Sequence, residues 1–94
     1  MVQFKVLDTT TDEQIVTAVN NLNEFQNTQD GFLDAELVKD VKVNSWCIIS
    51  HYENFEMVQA IGAKLRSNKV FSDFTSLVLT ESLIISFYHQ LKKW

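Results

Sequence analysis

The chain has no proline, two glycines and one cysteine. Such a composition leaves no stretch that reads as a flexible linker or a low-complexity tail. The lone Cys47 has no partner for an internal disulfide, which fits a reducing compartment, and a cytoplasmic location is expected. No apolar run approaches the roughly 18 residues that suggest a membrane span. The opening Met1-Val2-Gln3-Phe4-Lys5 lacks the basic start and apolar run of a signal peptide. Positive charge is also sparse, with eight Lys and Arg against twelve Asp and Glu and a formal net charge of −4. Only Lys92 and Lys93 are adjacent, so there is no basic stripe to neutralise phosphates, and nucleic acid is not an expected partner. No internal repeat at solenoid spacing occurs.

What is present suits one globular domain spanning residues 1–94, with 46% apolar and 21% charged residues. A chain of this length buries roughly 60–70% of its extended surface, enough for one core. Val2, Phe4 and Val6 alternate with Gln3 and Lys5, which predicts a short first strand. Thr10 with Glu13, or Thr11 with Gln14, has the spacing of a capping box. Ile15, Val19, Leu22 and Phe25, with Val16, then recur at helical intervals to about residue 27. Gly31 supplies the positive φ that the following turn can require. Leu33, Ala35 and Leu37 alternate with Asp34 and Glu36 in a second strand, whose polar parity suits an edge.

Residues 40–45 read as a hairpin connection with Asn44-Ser45 as the turn pair. A third strand runs from Trp46 to about Glu53, and Asn54 can cap the next helix, whose stripe is Met57, Val58, Ile61 and Leu65. Ser67-Asn68 interrupts that helix, and Phe71, Phe74 and Val78 predict another turn or two. A last strand is expected over Leu83–Leu91.

The order β-α-β-β-α-β predicts an α+β, ferredoxin-like fold: a four-stranded antiparallel sheet in order 4-1-3-2 with both helices on one face. The third and fourth strands carry apolar residues on both parities. Trp46, Ile48 and Tyr52 oppose Cys47 and Ile49, while Leu83, Ile85 and Phe87 oppose Ile84 and Tyr88. With the helices committed to one face, the other face needs cover as well. A twofold, sheet-to-sheet homodimer provides it by using one surface twice.

Size, topology and several short segments resemble the dimeric α+β barrel superfamily, particularly its antibiotic-biosynthesis-monooxygenase-like branch. Asp30-Gly31-Phe32-Leu33 is similar to that branch's Gly-Phe opening of strand two. His51-Tyr52-Glu53-Asn54 stands where many members have an aromatic residue before the helix cap. Leu65-Arg66-Ser67 with Val70-Phe71 is similar to the segment after the second helix. The resemblance implies the ferredoxin-like dimer, and a choice among cofactor-independent monooxygenases, haem-degrading enzymes, isomerases and proteins without known activity. The haem-degrading members use an Asn, a Trp and a His where this chain has Leu7 or Asp8, Ile61, and Phe74 or Thr75. Haem degradation of that kind is therefore not expected.

The side chains that carry chemistry are few. His51 is the one candidate catalytic base, because imidazole can take a proton near neutral pH. Trp46, His51, Tyr52 and Phe74 are the candidate ligand-binding residues, although strand parity sets His51 against Trp46 and Tyr52. The blander reading places the aromatics in the core or dimer seam and His51 at an edge. His51 and His89 fall on strands about 10 Å apart with no carboxylate at ligand spacing, so no metal site is expected. Cys47, in an apolar strand without a cationic neighbour, reads as an inert small hydrophobe. No cofactor is expected. The leading functional expectation is a homodimeric binding or structural module holding a small apolar molecule between sheet and helices. The alternative is a cofactor-independent monooxygenase or isomerase acting on an aromatic or polyketide-like substrate. A subunit of a mixed complex is the third possibility.

Overall fold

The capping residues set where the helices begin. In the computed structural model, which describes all 94 residues, the first helix, α1, spans Asp12–Asn27. Thr11 is its N-cap: the hydroxyl accepts from the Gln14 N–H at 3.1 Å, and the Gln14 side chain accepts from the Thr11 N–H at 2.8 Å. Both orphan donors are thereby satisfied. Asn54 caps α2 (Phe55–Arg66) by accepting from the Met57 N–H at 2.9 Å. The chain then breaks at Ser67 and restarts, with Asn68 as a fresh cap, as α3 (Lys69–Thr75). The second helical region is thus two helices, followed by a 3-10 turn at Thr80–Ser82.

The strands are β1 (Val2–Phe4), β2 (Phe32–Lys39), β3 (Trp46–Tyr52) and β4 (Ile84–Ile85). All pair antiparallel, in the order β2-β3-β1-β4. This is the 4-1-3-2 arrangement expected from the chain order. Phe4, Trp46 and Ile48 point to the helix side, where they meet Ile15, Ala18, Val19, Leu22, Phe74 and Val78 in one buried cluster. Phe4 stacks near Trp46 at 6.3 Å between ring centroids and meets Phe74 edge-on at 5.0 Å. Such aromatic pairs add about 0.5–1.5 kcal/mol beyond area burial. Val16, counted with the helix stripe, instead faces water.

Two expectations need correction. The strand predicted over Leu83–Leu91 pairs regularly only at Ile84 and Ile85, opposite Gln3 and Val2. The pairing finishes with Met1 and Ser86, whose mutual hydrogen bonds are 2.8 and 2.9 Å. Beyond Ser86 no strand of the same chain runs alongside, so Phe87–Trp94 has no backbone ladder. The second correction concerns the hairpin. Asn44-Ser45 is not a two-residue turn; Lys39 pairs with Trp46 across the whole loop 40–45. Asp40 organises that loop by accepting from the Lys42 and Val43 N–H groups at 2.8 and 3.2 Å.

Gly31 does adopt positive φ, at 91°. A Cβ there would also lie 2.5 Å from Met57 Cγ, so α2 sits directly against this turn.

Candidate functional site

One end of the sheet–helix layer brings polar side chains from α1, β2 and the loop 40–45 up to the buried Trp46. Here β1 leaves the sheet through Val6, which bridges to Val78. β2 ends at Lys39 and β3 begins at Trp46. The Asn44 amide fastens the intervening loop to β1: its Nδ2 donates to the Val6 carbonyl at 2.9 Å, and its Oδ1 accepts from the Val6 N–H at 3.1 Å. Between these segments lies an open depression of about 370 Å³ whose lining includes Asp8, Thr10, Asp12, Lys39, Lys42 and Trp46.

Trp46 ties this depression to the core. It is 4% exposed, and its indole Nε1 has no hydrogen-bond partner in the protein. An unpaired buried donor costs about 1–3 kcal/mol. The Lys39 ammonium lies 5.0 Å from the centroid of the indole ring and is held there by Asp12 at 3.1 and 3.2 Å. Both partners of that ion pair are well exposed, so the pair adds little stability. Its consequence is positional, since it keeps a cation above an aromatic face. A larger open groove of about 480 Å³ runs along α1 and α3, lined by surface groups such as Glu13, Asn21 and Asp73. It reaches no buried group without a partner.

The four residues expected to bind a ligand do not line one site. Trp46 and Phe74 share the covered layer and are linked through Phe4. Tyr52 lies on that same side but at the far end of β3, where it packs on Phe32 at 5.5 Å. Its hydroxyl donates to Oε1 of the buried Gln26, and burial pushes the phenol above its ordinary pKa. His51 points the other way, onto the bare face of the sheet, where its Nδ1 meets Asp34 Oδ1 at 2.6 Å. That contact orients the ring and leaves Nε2 available as an acceptor when the imidazole is neutral. Cys47 is also on the bare face, opposite Gln3 and Val38. Burial raises its thiol pKa, which keeps it protonated near neutral pH. Tyr88 and His89 lie in the segment beyond β4 and are exposed.

Asp34, Asp12, Lys39 and Asn44 are the participants that sequence reasoning missed. A two-residue turn at Asn44-Ser45 would set His51 opposite Val38. The longer loop sets it opposite Asp34, just beyond an irregularity in the pairing between Phe32 and Asp34. The signal was the alternation of Asp34 with Ala35, and it needed the correct register to become a contact.

No protein-family model matches the chain, and no curated protein matches it significantly in sequence. Among solved structures, SnoaB, described as a cofactor-independent oxygenase from Streptomyces nogalater, superposes with a TM-score of 0.75. The match covers 98% of this chain and 93% of that one, at 14% identity. The fold is ferredoxin-like. Likeness at this level of identity speaks for architecture, because one fold hosts many chemistries. Within that ferredoxin-like frame, the centre of the sheet–helix layer is filled by Phe4, Ile15 and Phe74, each 2% exposed or less. The open depression beside Trp46 lies at the layer's end. No helix is long and apolar enough to cross a membrane.

Proposed function

We propose that the protein is a homodimeric binding module that takes a small, flat, largely apolar molecule at the Trp46 end of the sheet–helix layer. The observation that carries this reading is Trp46 itself, a buried indole with an unpaired N–H beside an open depression. A ligand carbonyl or phenol oxygen that reached Nε1 would relieve its missing hydrogen bond, and Lys39 would favour an electron-rich ring or an anionic oxygen. The lining is mixed, with Asp8, Thr10, Asp12, Lys39 and Asn44 beside Val6, Leu7 and Trp46, so a guest would lay its ring against the indole and turn its polar atoms to the rim. Trp94 is replaced by Phe so that Trp46 alone reports, and planar aromatic phenols and ketones are titrated by fluorescence. Saturable quenching that weakens in Lys39→Ala is expected. Unchanged Trp46 emission up to the solubility limit of every compound sinks the site.

The dimer is supported by the bare face of the sheet. Val38, Cys47, Ile49 and Ile84 share it with Gln3, Lys5, Asp34, Glu36 and His51. An apolar strip with a polar surround is the anatomy of a self-complementary interface. Sedimentation at micromolar concentration should show twice the chain mass.

The second reading is a cofactor-independent monooxygenase or isomerase for an aromatic or polyketide-like substrate, as in the antibiotic-biosynthesis-monooxygenase-like branch. Two observations favour it: the shared architecture with SnoaB, and the carboxylate-oriented His51. Oxygen uptake with a reduced polycyclic phenol is the test. Uptake that survives His51→Asn removes His51 as its base.

A further inference from the structure

The bare face of the sheet carries its charges unevenly. His51 and Asp34 face each other across β3 and β2, at the end where β2 begins. Their 2.6 Å contact is open to water, with the two side chains 53% and 71% exposed. Glu36 stands opposite Ile49, one step along the same parity. Glu53 follows two residues after His51 and is exposed. Neither glutamate has an ion-pair partner, since the ion pairs of the chain are Lys39–Asp12 and His51–Asp34.

The cations of this face lie elsewhere, on β1. Lys5 comes after the Phe4–Trp46 pair, at the opposite end of β3 from His51. The Met1 amine donates to the Ser86 carbonyl at 2.8 Å, and its charge acts on the Cys47 thiol. The helices lie against the other face, and Glu56 in the first turn of α2 is the nearest of their charges along the chain. His51 is therefore the group at this end that can answer the carboxylates, and it does so only when protonated. Imidazole exchanges its proton between about pH 5 and pH 8.

In a single chain the protonation state matters little, because water screens an exposed pair. In a seam it matters more. A carboxylate taken out of water beside a neutral imidazole is an unpaired buried charge. Beside an imidazolium it enters as half of a hydrogen-bonded ion pair. Twofold symmetry doubles the demand, since each copy brings its own Asp34 and Glu36.

We infer that the Asp34–His51 pair is a pH-sensitive latch on self-association: the dimer closes with His51 protonated and loosens as His51 becomes neutral. The inference rests on the sheet-to-sheet dimer proposed above. Its sign follows from linkage. The dimer holds the His51 proton more tightly than the single chain does. The added affinity is complete below the single chain's imidazole pKa and is lost as pH rises through the higher value in the dimer. Acid strong enough to protonate Asp34 removes the effect again.

The test is sedimentation of the full chain from pH 8 to pH 6 at fixed ionic strength. The dimer dissociation constant is expected to fall roughly tenfold over that range, a fraction of what two fully linked protons would give. His51→Gln should flatten the profile, while His89→Gln, at the other imidazole, should leave it unchanged. Asp34→Asn should remove it, because the imidazolium then loses the carboxylate that receives it. Far-UV circular dichroism at both pH values should show the same folded chain in every variant, since the replaced side chains are exposed. A chain that stays monomeric at pH 6 and pH 8 up to its solubility limit overturns the dimer and this inference together. A dimer equally tight at both pH values, or weaker at pH 6, overturns the latch alone. So does a profile that survives His51→Gln.

Discussion

The two faces of the sheet are built from the same few strands and obey different rules. On the covered face, Phe4, Trp46 and Ile48 are 5% exposed or less, and each has an aromatic or aliphatic neighbour from a helix. On the bare face, Cys47 and Ile49 are only half-buried, Val38 and Ile84 are exposed, and Asp34, Glu36, Lys5 and His51 surround them. The covered face is a finished core whose stability is a property of one chain. The bare face has no such cover within the chain, and in the dimer proposed above a second copy would supply it. Its contribution should therefore depend on protein concentration, whereas that of the covered face should not.

The largest expected effect tests the finished side. Phe74→Ala removes a ring that is 1% exposed and packed edge-on against Phe4, and should cost about 3–5 kcal/mol. Urea unfolding at two protein concentrations should give the same loss. A loss under about 1 kcal/mol would mean that the covered layer repacks freely and is not the rigid partner in the comparison.

Next comes Gly31→Ala, at the turn where α2 presses on the entrance to β2. Positive φ and a 2.5 Å approach to Met57 Cγ both oppose a methyl group. About 2 kcal/mol of destabilisation is expected, more than the cost of either constraint taken alone. A neutral result in thermal unfolding would show that α2 can lift from the turn.

A smaller effect appears with alkali. Burial raises the Tyr52 phenol above its ordinary value of 10.0. Once pH passes about 10, the unfolded chain loses this proton more readily than the folded one, so stability present below that point falls as pH rises through the higher folded value. Tyr52→Phe should flatten this part of the pH–stability curve measured by urea midpoints. An identical slope in the variant would assign the loss to other groups.

The smallest change in chain stability belongs to the bare face. Ile49→Ser should cost about 1 kcal/mol or less in dilute, monomeric protein. The same substitution should cost clearly more at high concentration, where the proposed seam would form. A loss independent of concentration would erase the distinction between the two faces.

The architecture was legible because local signals and global order agreed. The Thr11–Gln14 box, the Asn54 cap, the Ile15-Val19-Leu22 stripe and the alternation in β1 each stand where the structure has them. Parity in the sequence also separates His51 from Trp46. The rest depended on pairing, which sequence periodicity does not encode. Strand four looked long because its apolar alternation continues to Leu91; whether alternation becomes a strand depends on a neighbour to accept its hydrogen bonds, and β1 provides one only as far as the Met1–Ser86 pair. The candidate site was hidden for a related reason. Asp12, Lys39, Asn44 and Trp46 come from α1, β2, the following loop and β3; the loop from Asp40 to Ser45, read at its full length, sets Lys39 opposite Trp46, and the packing of α1 adds Asp12.

Asn44 has a consequence for how a ligand would be received. By giving Val6 both a donor and an acceptor, its side chain imitates one residue of a missing strand and holds the rim of the depression to β1. The rim is preorganised, so a guest arriving at Trp46 would not have to order this loop as it binds. Asn44→Ala should then act mainly on the rate of capture: the guest would meet an ensemble of rims, and only the fraction already in place could admit it.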